Sequence, residues 1–156
     1  MEEAMVHGVL TSHAMARITV TGLPDRPGSA ARVLRTIADL DVAVGTVVLD
    51  RAFDCTVRRL DGPLVAAALK RAGYTVSLDD RVSEITVVGA GLRSVPAVAA
   101  GFCAVLARAG TKIELVSMEN GRMTVVCGSD RYEQTVRALC REYRVDATED
   151  AGFAVA

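Results

Sequence analysis

The sequence holds 156 residues, enough for one domain or two small ones. Hydrophobic residues make up 51% of it, which excludes a globally disordered chain. Lys and Arg total 18 against 19 Asp and Glu, aromatics are 4% and Trp is absent, so no nucleic-acid or anionic-membrane partner is expected.

No apolar run reaches the ~18–20 residues that a membrane span requires. The opening Met1-Glu2-Glu3-Ala4 is acidic, unlike the basic start of a secretory signal. Cys55, Cys103, Cys127 and Cys140 form no C-x-x-C pair and sit among apolar residues. They read as reduced thiols, so a cytoplasmic protein with no metal and no cofactor is expected. A net charge of −1 offers little repulsion against self-association, and a dimer is expected.

Arg17–Thr21 is a β-rich segment. Pro27-Gly28 breaks the chain and predicts a helix, with Ala30, Val33, Leu34, Ile37 and Ala38 at helical spacing and Asp41 at its close. Val42–Leu49 and Phe53–Arg59 follow as strands. Asp61-Gly62-Pro63 starts a second helix that Gly73 stops, and Tyr74–Leu78 is a fourth strand. The order then recurs. Ile85-Thr86-Val87-Val88-Gly89 repeats Ile18-Thr19-Val20-Thr21-Gly22 at an offset of 67 residues, a difference read directly from the numbering. Pro96–Ala109 is a helix ended by Gly110, Lys112–Ser117 and Arg122–Cys127 are strands around an Asn120-Gly121 hairpin turn, and Asp130 caps a last helix.

Little chain remains after Val145 for another strand, while Met5–Leu10 is a spare one at the start. The N-terminal strand is therefore expected to complete the second sheet. The reading is α+β: two ferredoxin-like βαββαβ units in tandem, helices on one face of antiparallel sheets. The first unit spans residues 16–81, and the second combines residues 1–15 with 82–156.

The stretch Ile18-Thr19-Val20-Thr21-Gly22-Leu23-Pro24-Asp25-Arg26-Pro27-Gly28-Ser29-Ala30-Ala31 resembles the opening of an ACT domain, and more narrowly the first of the paired ACT domains of aspartate kinases. Val88-Gly89-Ala90-Gly91-Leu92-Arg93-Ser94-Val95-Pro96-Ala97-Val98-Ala99 is similar to the V-G-x-G-M-R-S-x-P-G-V-A stretch of that family, and Ile113–Ser117 to its I-E-L-I-S strand. The resemblance implies an amino-acid-binding regulatory module that works through ligand-dependent pairing of ACT units. It implies a small amino-acid-like effector, a homodimer, and a catalytic aspartate-kinase-like chain as partner. The kinase start of the family has no counterpart here, so the chain is expected to be no enzyme.

The residues between Gly22 and Ala31 have a chemistry of their own. Backbone N–H groups at a helix start suit a carboxylate, Asp25 suits an ammonium, and Gly28 permits close approach. The same residues also make an ordinary turn and helix start. With the resemblance, the candidate ligand-binding set is Asp25, Pro27, Gly28, Ser29, Ala30, Ala31, Leu49, Arg93, Ser94, Lys112, Ile113 and Glu114. No catalytic residue is expected among them. Ala43–Asp50 departs from the family pattern N-I-D-M-I-V-Q-N: Ala43 stands in place of its Asn, and Leu49 in place of the Gln that touches effector. Lys112 replaces the Asn of the second copy. The alternative reading is therefore an ACT-pair scaffold whose pocket has decayed or been repurposed.

Overall fold

The computed structural model describes residues 5–90 and 96–150. The chain divides into two compact units, Ala14–Arg81 and Met1–His13 with Val82–Ala156.

The strands are longer than their sequence signals suggest. β1 runs from Met5 to Thr21 without a break, joining the spare N-terminal segment to the Arg17–Thr21 segment. β4 likewise runs from Thr75 to Ala90. The unit boundaries fall inside these two strands. The remaining elements are α1 (Ser29–Ala38), β2 (Val44–Leu49), β3 (Phe53–Arg58), α2 (Gly62–Arg71), α3 (Pro96–Arg108), β5 (Ile113–Glu119), β6 (Arg122–Gly128), α4 (Tyr132–Tyr143) and β7 (Ala147–Glu149).

In the first unit the sheet order is β2-β3-β1-β4. β1 and β3 are antiparallel, with Ile18 opposite Cys55 and Val20 opposite Phe53. Those four side chains, Val57 and Ala16 face one way and are fully buried against Val33 and Ile37 of α1 and Val65 and Leu69 of α2. Each such aliphatic or aromatic burial contributes roughly 1.5–3 kcal/mol. The opposite face carries polar residues. Thr19 lies opposite Asp54, whose Oδ1 accepts hydrogen bonds from Thr19 Oγ1 at 2.6 Å and Arg17 Nε at 2.8 Å. Asp54 is buried, so these charge-assisted bonds offset its desolvation.

The second unit repeats the plan, with order β5-β6-β4-β1. Ile85 opposite Val125 and Val87 opposite Met123 build its core with Phe102, Val105 and Leu106 of α3 and Leu139 of α4. Val9 of β1 belongs to this same core, so the N-terminal strand fills the fourth position of the sheet. Thr86 and Thr124, opposite each other, are hydrogen bonded at 2.7 Å on the polar face, where the first unit has Thr19 and Asp54. The sequence left no strand after Val145. The structure adds one: β7 pairs in parallel with β1, Val9 opposite Ala147, and Asp150 N donates to Thr11 O at 2.8 Å. Three exposed residues without an apolar run carry no strand signal of their own.

Helix ends follow local chemistry. After α2, Gly73 N donates to Lys70 O and Tyr74 N to Leu69 O; after α3, Gly110 N donates to Ala107 O and Thr111 N to Leu106 O. Both glycines have positive φ, 96° and 78°, and the paired bonds form a Schellman end. α4 ends on Arg144, which adopts φ 52° without being glycine. Asp130 does not cap α4 as its position suggests. It sits inside a 3-10 turn over Ser129–Arg131, and Arg131 occupies the cap position with no side-chain cap bond. Pro27 likewise lies outside its expected place in the first helical turn, since the cap of α1 is Gly28 and the helix starts at Ser29.

The cysteines are free, Cys55 and Cys127 fully buried and Cys103 and Cys140 half-buried. Burial, then the Glu114 and Asp130 carboxylates, push the Cys127 thiol up to about 12. Its Sγ–H points to Ser83 O at 3.7 Å.

Two outcomes are expected. Arg144→Gly should raise stability by about 0.5–1 kcal/mol by removing left-handed strain, while Gly110→Ala should lower it by about 1 kcal/mol, both read by chemical denaturation. The unfolded Cys127 thiol loses its proton near 9.0 and the folded one only near 12. Stability contributed by keeping it protonated is complete below pH 9 and is lost as pH rises toward 12, by about 1.4 kcal/mol per pH unit. Denaturation curves across that range should therefore fall more steeply for the parent than for Cys127→Ala.

Candidate functional site

The first unit carries a loop from Gly22 to Gly28 between β1 and α1. Its shape comes from three local constraints. Gly22 leaves β1 at φ 73°, and Gly28 enters α1 at φ 91°, a left-handed conformation that costs a Cβ-bearing residue about 1–2 kcal/mol. Between them, Arg26 N donates to Pro24 O at 2.9 Å, and Ser29 Oγ turns back to Pro24 O at 2.7 Å. The Ser29 hydroxyl is therefore used to close the loop and not to cap the helix.

α1 consequently starts with no side-chain cap and no acidic residue in its first turn. The first intrahelical bond is Arg32 N to Gly28 O at 3.0 Å. The N–H groups ahead of it carry the positive end of the helix dipole.

The β2–β3 turn, Asp50-Arg51-Ala52, stands beside this loop. Leu49 pairs with Phe53, and Asp50 N donates to Ala52 O at 3.1 Å, so the turn is short and closed. Loop and turn together bound a cavity of about 490 Å³. Asp25, Pro27, Gly28, Ser29, Ala30 and Leu49 line it, six of the twelve residues singled out from sequence. Ala31 is exposed on the first turn of α1 and does not line it. Leu23, Pro24, Arg26, Asp50, Arg51, Ala52 and Phe53 complete the wall and were not among the twelve. A signal for the turn residues lay in the few residues between the Val42–Leu49 and Phe53–Arg59 segments, a short connection whose strands pair and hold it at the sheet end.

The cavity is chemically mixed. Asp25 and Asp50 supply carboxylates, Arg26 and Arg51 supply guanidiniums, and Leu49, 59% exposed, lays an isobutyl group at its edge. An amide at position 49 would offer a donor NH2 group and an acceptor carbonyl there; Leu offers neither. The arrangement can hold a small zwitterion, with its ammonium toward a carboxylate and its carboxylate toward the start of α1.

The other candidates belong to the second unit. Lys112 is exposed and directly precedes β5, and Ile113 and Glu114 open that strand, half-buried. Arg93 and Ser94 lie outside the described residues. Among the described residues no three of His, Cys, Asp and Glu come together as metal ligands. No described helix is long and apolar enough to cross a membrane.

An ACT domain model matches residues 85–143. An aspartokinase of Corynebacterium efficiens is 33% identical over 166 residues, covering 97% of this chain and 39% of the relative. The chain thus spans about two fifths of the length of the curated relatives it matches. The regulatory subunit of aspartate kinase from Thermus flavus is 26% identical with a TM-score of 0.81, over 89% of this chain and 99% of that one. A chain from a structure of aspartokinase alpha and beta subunits is 29% identical with a TM-score of 0.81, over 90% and 99%. Residues 85–143 thus match an ACT domain, and the chain as a whole resembles the regulatory subunit, and the regulatory region, of aspartate kinases.

Proposed function

We propose that this chain is a non-catalytic regulatory polypeptide that binds an amino-acid-like effector and passes its presence to an aspartate-kinase-type catalytic chain. The observation that carries the reading is the cavity between the Gly22–Gly28 loop and the β2–β3 turn. It joins Asp25 to an uncapped helix start within about 490 Å³, room enough for a free amino acid. Likeness to separate regulatory subunits along nearly their whole length supports the partner class.

In this reading Asp25 accepts the ammonium, the N–H groups of Gly28 and Ala30 at the helix start receive the carboxylate, and Leu49 meets the effector side chain. Leu49 leaves a hydroxyl or amide of an effector unpaired, which costs about 1–3 kcal/mol. The preferred effector therefore has an apolar or short side chain at that end. Arg93, Ser94, Lys112, Ile113 and Glu114 are assigned to recognition on the family resemblance, in a chain that works as a homodimer or bound to the catalytic chain.

A thermal-shift screen over the twenty amino acids and their biosynthetic relatives tests the binding. An effector at 100 times its Kd should stabilise the chain by about 2.7 kcal/mol. Calorimetry with Asp25→Ala should then detect no binding, while the unfolding temperature without ligand stays unchanged, because Asp25 is exposed. If no compound in the screen shifts the parent, the scaffold reading with a decayed pocket takes its place. The coupling is tested separately. Mixed with an aspartate-kinase-type catalytic chain, the protein should make the activity effector-sensitive by roughly 5–150-fold in affinity, a coupling of about 1–3 kcal/mol. Activity that ignores both this chain and the effector would remove the partner assignment.

A further inference from the structure

The Gly22–Gly28 loop has a second side. Toward α2 it bounds another cleft, of about 410 Å³, whose wall includes Arg26, Gly28, Ser29 and Arg32, with Ala72 and Tyr74 across from them. The two clefts share the loop but differ in charge. The effector cavity contains Asp25 and Asp50. The α2-side cleft contains no carboxylate, and its two ionisable cations are both arginines. Neither Arg26 nor Arg32 has an ion-pair or hydrogen-bonding partner for its guanidinium among the described residues. This contrasts with Arg35 of the same helix, whose Nη1 lies 3.9 Å from Asp39 Oδ1, and with Arg58, whose Nε donates to Asp61 at 2.9 Å. The Tyr74 ring packs against the first unit's core, so that side of the cleft is held in place by apolar contacts.

Two like charges on one concave wall repel each other, with no carboxylate in the cleft to offset the repulsion. A dianion removes it and gives each planar guanidinium a forked acceptor. We infer that the α2-side cleft is an anion-binding site, for a small dianionic group of the phosphate-monoester or dicarboxylate kind, separate from the amino-acid cavity on the other side of the loop. An amino acid is disfavoured there, since no carboxylate lines the cleft to receive its ammonium. Because Arg26, Gly28 and Ser29 line both clefts, an anion held on one side fixes the same loop that shapes the other.

The test uses the whole chain, with inorganic phosphate and malonate as probes at constant ionic strength in chloride. Isothermal titration and amide chemical-shift mapping should find saturable binding, with shifts grouped at Arg26–Arg32 and Ala72–Tyr74. Phosphate binding the tighter of the two assigns a phosphoryl ligand, and malonate the tighter assigns a dicarboxylate. Arg26→Gln with Arg32→Gln should weaken the better probe at least tenfold. Arg35→Gln, with half that charge change and on the same helix, should leave it unaltered. Both arginines are exposed, and the single variants repeat the test should the pair fail to fold. Binding that survives the double variant, an equal loss in Arg35→Gln, or no saturation by either probe overturns the proposal. The amino-acid screen is read without either probe and on the parent chain, so the two readings fail independently.

Discussion

Each unit rests on one burial. The two-residue period of its central strands places one run of apolar side chains under the same pair of helices, and most polar ones on the other face. In the first unit Ile18, Val20, Phe53 and Cys55 are all fully buried on that side, while Thr19, Arg17 and Asp54 form a hydrogen-bonded group on the reverse. A slip of one residue between β1 and β3 would bury the Arg17–Asp54 group beneath the helices and expose Phe53. Register is therefore strongly held, and it fixes where β1 ends and where β3 begins.

Those two ends make the candidate site. Phe53 is the first residue of β3 and the last core residue at that end of the sheet, so the turn before it cannot move without uncovering it. β1 ends one residue past Val20, whose side chain is likewise buried, and the chain must then rise to the helix layer within seven residues. Gly22 and Gly28 supply the two left-handed steps of that climb. The loop is thus held at both ends by the core, and its middle stays open to solvent. Placing binding groups on such a loop keeps them accessible while a rigid scaffold positions them.

The ends of the strands also explain how a single loop serves two clefts of different charge. The side toward β2 and β3 receives the acidic Asp50 of the hairpin turn in addition to Asp25. The side toward α2 receives only Ala72 and Tyr74, which close the Schellman end of that helix and bring no charge. Arg26 borders both sides.

Much of this was legible from the residues. The offset repeat, the Pro and Gly punctuation and the Asn120-Gly121 turn marked both units and most of their elements, because helical spacing, strand alternation and left-handed turns are local properties of the chain. The Asp25–Ala30 segment stood out for the same reason, and so did Leu49, by its contrast with a family pattern. What tertiary structure alone decided was pairing. β7 exists only because β1 offers it an edge, since Ala147-Thr148-Glu149 has no strand signal by itself. Asp130 fails to cap α4 because a 3-10 turn intervenes. The hairpin residues Asp50–Phe53 join the cavity because β2 and β3 pair in a register that sets their turn beside the loop, and the α2-side cleft appears only where Tyr74, more than forty residues from Arg26, packs into the core. Composition and period specify which face each residue buries. Which distant residues then share a concavity depends on register and helix packing, and these are settled only when the whole unit buries its apolar face at once.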